Sequence, residues 1–259
     1  MQYVTPRAIH VAQTELDKAG LAEYLTSVGA PKWETDAPTG AEALIEVLGR
    51  MCYRSFAPGL NPNVKKVREG NADYLKNIEE HRHGSLFENA TDTYILFDVS
   101  RVVTHQLVRH RAGTAWAQES GHYVRVEGIK SWLPPMIAAN AEAAALYVET
   151  MERLEAAQLE MARLLDVDNL PFHEKKRATT AMRRLVPDGI ATAIAMTGNH
   201  RAWRWTIQLR TERSNDEEIR LVMADVFRQQ AERYPNLYAD AVAEMVDGIL
   251  EVKFENEKI

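Results

Sequence analysis

The sequence predicts an α+β fold that is rich in helices and has a small central antiparallel sheet. Three observations lead to this fold class. Apolar residues recur at helical spacing in several long segments, and two shorter segments are apolar enough to be buried strands. No repeat, low-complexity tract or Gly/Ser-rich linker divides the 259 residues. We therefore predict one domain over residues 1–259.

Two helices and a strand are predicted in the first hundred residues. TGAEALIEVLGRMCY has helical spacing, with Thr39 as its N-cap, and VKKVREGNADYLKNIEEH reads as a second, more exposed helix. Cys52, the single cysteine, lies in the first helix and is expected to be a small buried residue there. TDTYILFDVS is rich in aromatic and β-branched residues and is the best strand in the sequence.

The rest of the chain is predicted to be mostly helical. RVVTHQLVRHR returns to helical spacing, with Val103, Leu107 and Val108 facing inward. A long helix is predicted over residues 140–165, and the next helix ends before Pro187. ATAIAMTG is predicted to be a short buried strand, and two further helices follow it, in HRAWRWTIQLRTER and NDEEIRLVMADVFRQQAERY.

Composition excludes several classes of function. The net charge of −6 argues against nucleic-acid binding, which requires broad neutralisation of phosphates, but it leaves room for a small anionic ligand in a local basic pocket. No apolar run is long enough to span a membrane, and the N-terminus lacks the apolar stretch of a signal peptide. With one cysteine, no internal disulfide is possible. We therefore expect a cytoplasmic protein that binds neither membrane nor nucleic acid.

Common catalytic motifs are missing from the sequence. It has no G-x-G-x-x-G, no G-x-x-x-x-G-K-[ST], no H-E-x-x-H, no C-x-x-C and no G-x-S-x-G, so a Rossmann or P-loop nucleotide site is not expected. His81 and His83 lack a third ligand at a recognisable spacing. A histidine at a helix C-terminus is their ordinary explanation, and no metal site is predicted.

The stretch RHRAGTAWAQESGHY indicates a site for an anion. Arg109, His110 and Arg111 are predicted to occupy consecutive helical positions, where a solvated helix end is the simplest alternative. The residues that follow offer a hydroxyl and backbone donors suited to phosphate or carboxylate oxygens. Arg183 and Arg210 add two guanidiniums flanked by apolar sequence, and planar guanidiniums suit a nucleotide monophosphate.

Taken together, these segments resemble the flavin-dependent thymidylate synthases. YRSF, HRHGSLFEN, HQLVRHR, ESGHY, MRRLVP, TGNHR and IQLR follow the order and closely the spacing of that family, and the resemblance covers roughly residues 45–235. It implies flavin-dependent methylation of C5 of a uridine 5′-monophosphate, most readily dUMP to dTMP. FAD would be the cofactor, with methylenetetrahydrofolate as carbon donor and NADPH as reductant.

The resemblance also implies roles for individual residues. Arg210 would stabilise charge on the uracil, and His83 would lie beside the flavin ring. It further implies a homotetramer whose active sites are shared between subunits. The residues expected to bind FAD are Ser55, His83, Ser85, Glu88, Arg109, His110, Arg111, Asn199 and Arg201. Those expected to bind the uridylate are Gln106, Gln118, Glu119, Ser120, Gly121, His122, Arg183 and Arg210. Which of Gln118 and Glu119 faces the uridylate is left open.

Three departures from the family keep alternatives open. His122 stands where an arginine is usual, Trp205 stands where a polar residue near FAD is usual, and eight residues separate Arg111 from Ser120. A longer, altered substrate loop would suit a ribose, so methylation of UMP for a nucleoside antibiotic is the alternative within the family. A catalytically silent FAD- or nucleotide-binding protein is a second hypothesis. A metal-dependent hydrolase using His81, His83, His105 and His110 is a third.

Overall fold

The computed structural model describes residues 1–120 and 128–256 and has a four-stranded antiparallel sheet at its centre. This sheet consists of β2 (Arg7–Gln13), β3 (Thr91–Ser100), β4 (Thr114–Gln118) and β6 (Ala191–Asn199). Its strand order is β2-β3-β6-β4, with every pair antiparallel. Two smaller sheets are a parallel pair, β1 (Gln2–Tyr3) with β5 (Lys130–Ser131), and an antiparallel hairpin, β7 (Ala241–Val246) with β8 (Ile249–Phe254).

Helices surround these sheets, as predicted. They are α1 (Lys18–Ser27), α2 (Gly40–Tyr53), α3 (Asn71–Glu80), α4 (Arg101–Leu107), α5 (Pro135–Ala138), α6 (Ala141–Leu164), α7 (Phe172–Met182), α8 (His200–Thr211) and α9 (Glu217–Arg233). Short 3₁₀ segments cover Gly84–Glu88, Val167–Asn169 and Arg183–Leu185. None of the helices in the described parts of the chain has the length and apolar character needed to cross a bilayer. The predicted helix-rich α+β class is confirmed.

Helix α2 begins at the predicted residue, but its cysteine is not buried. Thr39 Oγ1 accepts a hydrogen bond from the backbone N–H of Glu42 and donates one to its carboxylate, at 3.2 and 2.7 Å, so the two residues cap the helix together. Cys52 lies in the last turn of α2 on the solvent side and is exposed. The prediction that it is a small buried residue is therefore wrong.

The second predicted helix is shorter and better buried than expected. It begins only at Asn71, because Gly70 has a φ of +82°, which ends any helix running through it. Tyr74, Leu75 and Ile78 of α3 are buried in the main core, so the helix has an apolar inner face. The charged residues before Gly70 suggested an exposed helix, but they are not part of it.

Helix α4 ends before the three basic residues that were predicted to lie on it. Val103 and Leu107 are fully buried, as predicted, but Val108 is 37% exposed and does not face inward. Arg109, His110 and Arg111 therefore lie in the turn that joins α4 to β4. The Thr114 hydroxyl and the Trp116 indole both donate to the His110 carbonyl oxygen, at 2.6 and 3.1 Å, and hold this turn against the new strand.

The core lies between the central sheet and helices α8 and α9. Strand β3 has the predicted bounds, and β6 alternates between buried and half-buried residues, which directs Ile194 and Met196 inward. Trp203 of α8 and Tyr94 of β3 meet edge to face in this core. Helix α8 begins directly after the last residue of β6. Because Trp203 faces the core, the opposite face of α8 is available to line a cavity.

Candidate functional site

One cavity, which we call the arginine cavity, lies where the α4–β4 turn meets α8, and its volume is about 320 Å³. The turn contributes basic residues. The lining residues of α8 follow the first of them, Ala202, by three, four, seven and eight positions, so they project from one face of the helix. Among the described residues, no acidic side chain lines this cavity. Its lining residues are Arg109, His110, Arg111, Ala112, Ala202, Trp205, Thr206, Leu209 and Arg210.

Asn199 fastens the turn to the start of α8. Its side-chain oxygen caps the helix by accepting from the Ala202 N–H at 2.8 Å, and its own backbone N–H donates to the Gly113 carbonyl at 3.0 Å. Gly113 has a φ of +71°, and a Cβ there would lie 2.5 Å from the Asn199 amide nitrogen. The turn can approach the helix this closely because position 113 carries no side chain.

The hydrogen bonds of His110 fix it as a neutral imidazole. Arg210 Nε donates to His110 Nε2 at 2.9 Å, so Nε2 carries a lone pair and the ring proton is on Nδ1. Nδ1 lies 3.4 Å from the Thr206 hydroxyl oxygen, and that hydroxyl in turn donates to the Ala202 carbonyl at 2.7 Å. Burial, and secondly the charge of Arg210, lower the pKa of His110 from 6.5 to about 4.

Arg210 is held at one end of the arginine cavity by three acceptors. Besides the bond to His110, its two terminal nitrogens donate to the Asn215 side-chain oxygen at 3.1 Å and to the Gln106 carbonyl at 3.2 Å. Burial lowers the pKa of Arg210, and the nearby charge of Arg109 lowers it further. These acceptors are all neutral, so they position the guanidinium without neutralising it.

Arg109 and Arg111 are exposed in this turn. Over residues 1–120 and 128–256, neither of them forms an ion pair with a carboxylate. Together with Arg210 they form a concentration of positive charge with no acid beside it. Such a cavity attracts an anion, and planar guanidiniums match the geometry of phosphate oxygens.

A second cavity, the α6 cavity, lies between α6, α7 and the sheet, and its volume is about 470 Å³. Glu119, Ser120 and Arg183, three of the residues predicted to bind the uridylate, line it. Glu119 is oriented by the hydroxyl and the backbone N–H that donate to its carboxylate from Thr192 and Ala193, each at 3.2 Å. This volume is within the range of small-ligand sites.

Glu119, rather than its neighbour Gln118, lines the α6 cavity. The side chains of successive strand residues point to opposite faces, and Gln118 instead donates to the Thr104 hydroxyl at 3.2 Å. Gln106 reaches the arginine cavity through its carbonyl bond to Arg210. Gly121 and His122, also predicted to bind the uridylate, lie outside the described residues.

The four guanidiniums predicted to surround one ligand do not lie together in one chain. Arg109, Arg111 and Arg210 line the arginine cavity, whereas Arg183 lines the α6 cavity, and no residue lines both. Arg183 directly follows α7, and residues of α6 and α7 line the α6 cavity, so this part of the chain places Arg183 there.

The remaining predicted FAD residues line neither cavity. Glu88 accepts from Arg201 at 2.5 Å, which joins the 3₁₀ segment Gly84–Glu88 to α8. His83 stacks on Tyr53 with ring centroids 6.3 Å apart. Ser85 is exposed, whereas Ser55 is buried just after α2.

Four histidines were the basis of the metal-dependent alternative, and the structure does not bring all four together, although the rings of His81 and His83 have centroids 6.0 Å apart. His105 lines the α6 cavity and His110 lines the arginine cavity. His81 ends α3 and bonds through Nδ1 to the Asn77 carbonyl at 2.9 Å, which is the helix-terminal role expected for it. In the described part of the chain, no three His, Cys, Asp or Glu side chains are grouped as a metal site.

Asp98 and Gln158 are among the lining residues of the α6 cavity that were not predicted from the sequence. Asp98 occupies a bulge in β3 with a φ of +58°, and its charge within an apolar strand was the available signal. Gln158 is 5% exposed, and its amide nitrogen has no hydrogen-bond partner. It follows the buried Met151 by seven residues, which is the spacing of one helix face.

The chain is similar to known proteins both in sequence and in fold. A family model described as thymidylate synthase complementing protein matches residues 35–236. The flavin-dependent thymidylate synthase of Mycobacteroides abscessus is 35% identical over 228 residues, covering 83% of this chain and 86% of that protein. The enzyme of the same name from Mycobacterium avium is 33% identical over 250 residues, covering 92% and 94%.

Solved structures with this fold include a UMP/dUMP methylase, PolB, from Streptomyces cacaoi, bound with 5-Br UMP. It aligns with a TM-score of 0.61 at 15% sequence identity, covering 92% of this chain and 95% of that chain. A second structure of that protein, bound with 5-Br dUMP, aligns with the same TM-score. At this identity the likeness supports the fold alone.

Proposed function

The chain belongs to the thymidylate synthase complementing protein family, and we propose that it methylates C5 of a uridine 5′-monophosphate, converting dUMP to dTMP. The observation that carries the proposal is the arginine cavity, where Arg109, Arg111 and Arg210 meet with no acidic side chain from the part of the chain that the structure describes. A neutral His110 holds Arg210 in place there.

The proposed reaction balances with a folate donor and a nicotinamide reductant. Methylenetetrahydrofolate provides one carbon, NADPH and a proton provide two hydrogens, and the products are dTMP, tetrahydrofolate and NADP⁺. C5 of the uracil forms the new carbon–carbon bond and loses its proton. The single cysteine lies at the end of α2 and lines neither cavity, so a reaction by cysteine attack on the uracil has no support in this geometry.

The residues of the arginine cavity fit FAD. Among the described residues, Arg109 and Arg111 pair with no carboxylate, so the cavity holds positive charge that the phosphates of FAD would neutralise. Arg109 and Arg111 would hold the FAD phosphates, with His83, Ser55, Ser85, Glu88, Asn199 and Arg201 as the further contacts proposed from the family. When bound, the flavin supplies hydride transfer from NADPH.

Arg210 is proposed to act at the uracil. Negative charge develops on the uracil ring as C5 attacks the methylene carbon, and a fixed guanidinium stabilises that charge. The bonds from Arg210 to His110, Asn215 and the Gln106 carbonyl hold it before the reaction, so little reorganisation is needed. Because His110 is neutral, it orients Arg210 without forming an ion pair with it, so the guanidinium charge remains available to the uracil ring.

The α6 cavity is proposed to bind the nucleotide through Ser120, Glu119 and Arg183. Since these residues do not share a cavity with Arg210, a complete site would require two chains. The separation supports a homotetramer in which the α6 cavity of one subunit meets the arginine cavity of another. An oligomer with closed symmetry makes every such contact equivalent.

An omission assay tests the proposal. The purified protein is incubated with dUMP, FAD, NADPH and methylenetetrahydrofolate, and dTMP is quantified by chromatography after each component is left out in turn. We expect dTMP only in the complete mixture, and also expect omission of NADPH to be overcome by flavin reduced chemically. Formation of dTMP without flavin, or none in the complete mixture, would refute the proposed function.

Methylation of UMP is the second candidate. The eight residues between Arg111 and Ser120, five of which form strand β4, motivate it, because a longer substrate loop would suit a ribose. Replacing dUMP by UMP in the complete mixture measures this activity directly.

A further inference from the structure

Two tryptophans two positions apart on α8 have opposite environments. Trp203 is fully buried in the main core and donates to the Asp92 carbonyl at 3.3 Å, so the fold accounts for it. Trp205 is 53% exposed and lines the arginine cavity. Throughout residues 1–120 and 128–256, no ring and no cation stacks on Trp205, and its indole N–H donates to no protein acceptor.

The exposed indole therefore contributes little to the stability of the chain. Burying an aromatic side chain is what makes it stabilising, and about half of Trp205 remains in water. Its position is nevertheless well defined, since it lies on a regular helix whose N-terminus is capped by Asn199. A rigid, flat, exposed surface on a helix is suited to contact with another flat surface.

The neighbours of Trp205 determine which flat surface would fit. Arg109, Arg111 and Arg210 line the same cavity, and Leu209, one turn further along α8, adds an apolar side chain. Cationic groups favour phosphates, and an indole with an apolar neighbour favours a planar ring. The combination matches a ligand in which a heteroaromatic ring is joined to a phosphate.

We propose that Trp205 is the stacking surface for a planar heteroaromatic ring of the phosphate-bearing ligand held in the arginine cavity. The inference rests on the proposed function, since FAD is the ligand proposed there, and it adds a contact of this chain's own. Both ring systems of FAD, the isoalloxazine and the adenine, have this chemistry. FMN carries only the first and ADP only the second, so these ligands distinguish the two.

The experiment compares the full-length protein with Trp205→Ala and Trp205→Phe. Phe172→Ala is the control, because Phe172 is also an exposed aromatic residue, on α7, and lines neither cavity. Dissociation constants for FAD, FMN and ADP are measured by equilibrium dialysis, and oligomeric state by sedimentation. We expect Trp205→Ala to weaken FAD binding by roughly 10-fold, as for loss of one stacked ring. Trp205→Phe should retain most of the affinity, and the control all of it.

The affinities for FMN and ADP and the oligomeric state distinguish the possible results. A matching loss for FMN identifies the isoalloxazine as the stacked ring, and a matching loss for ADP identifies the adenine. Unchanged FAD affinity in Trp205→Ala overturns the inference. So does a loss of affinity that accompanies dissociation of the assembly, because Trp205 would then be a subunit contact. If the unmodified protein binds no FAD at all, the proposed function fails, which is a separate result.

Discussion

His110 connects the charge of the arginine cavity to the backbone of α8. Arg210 donates to one ring nitrogen, and the other lies against the Thr206 hydroxyl, so both nitrogens are used by the neutral ring. Protonation would place a second positive charge against Arg210 and remove the acceptor of its Nε–H. The geometry of Arg210 therefore depends on His110 staying neutral, which its lowered pKa of about 4 ensures near pH 7.

Folding stability should fall when the pH is lowered from 7 to 5, in part through His110. The unfolded ring takes up a proton near pH 6.5, whereas the folded ring does so only near pH 4, so acid favours the unfolded chain between these values. Above pH 6.5 this ring has no effect. The glutamine in His110→Gln cannot titrate. In this variant the loss of free energy of unfolding between pH 7 and pH 5 should be smaller by about 1 kcal/mol, allowing for solvent around the half-buried ring.

Urea unfolding at the two pH values and at one protein concentration measures this difference. His200 is also buried, with a pKa lowered to about 3, but it is unchanged in the variant and cancels in the comparison. An equal loss in both proteins would show that His110 is not held neutral by the fold.

Arg210→Ala should reduce the turnover number by about 10²- to 10³-fold, the usual effect of removing one donor that stabilises transition-state charge. The protein should still bind FAD, since Arg109 and Arg111 remain in the cavity. Steady-state kinetics and flavin absorbance measure the two properties. The matched control is Arg213→Ala, just beyond α8, where an exposed arginine pairs with Asp247 outside the cavity. Turnover in Arg210→Ala equal to that of the control would contradict the role proposed for Arg210.

The α4–β4 turn and the start of α8 act as one element. Gly113 lies against Asn199, and Asn199 both caps α8 and donates to the Gly113 carbonyl, so the turn that carries Arg109 and Arg111 is held in register with the helix that carries Arg210. The relative position of these three guanidiniums therefore depends on a close approach that a side chain at position 113 would prevent.

Gly113→Ala should lower the free energy of unfolding by about 1 to 3 kcal/mol more than Gly59→Ala does. Both glycines have positive φ, +71° and +85°, so both substitutions introduce the same backbone strain. Only at Gly113 would the new Cβ meet other atoms, 2.5 Å from Asn199, whereas nothing lies within 4 Å at Gly59. Urea unfolding of both variants checks the difference. If they were equally stable, the turn and the helix would not be in the tight contact described.

The elements that the sequence predicted well are those with strong periodicity. Strand β3 and helix α6 have clear patterns and ends, and both were predicted nearly to the residue. Strand β4 was missed, because TAWAQ contains two alanines and no branched apolar residue, and its pairing with the distant β6 decides its structure. The end of α4 was missed for a related reason: hydrogen bonds from Thr114 and Trp116 hold the turn, and periodicity does not encode them.

The candidate site was also predicted only in part, because some of its features depend on burial and on the path of the chain. The order of motifs led to the residues of the arginine cavity, but not to the bond from Arg210 to His110 or to the ring's neutrality, which depend on burial. Cys52 was misjudged because an apolar helix has a solvent side that composition does not reveal. The placement of Arg183 in a different cavity depends on the path of α6 and α7 through space.

At the scale of the whole molecule, the two cavities predict complementation between defective subunits. Arg183→Ala should impair the α6 cavity, and Arg210→Ala the arginine cavity, so each variant alone should have little activity. If each site combines cavities from two subunits, random mixing leaves about a quarter of the sites intact. Subunits mixed by denaturation and refolding together should therefore recover about a quarter of the unmodified activity. Two variants of the same cavity, Arg183→Ala with Ser120→Ala, are the control and should recover none. No recovery in the first mixture would show that each chain builds its site alone.

The most direct measurement of the proposed activity is a competition assay. Equal concentrations of dUMP and UMP are offered together with FAD, NADPH and methylenetetrahydrofolate, and the two methylated products are separated and quantified. We predict that dTMP predominates and that Arg210→Ala forms both products about 10²- to 10³-fold more slowly. Predominance of ribothymidine monophosphate would contradict the proposed substrate while keeping the chemistry. Bound flavin with no methylated product from either nucleotide would contradict the central claim that the arginine cavity serves C5 methylation.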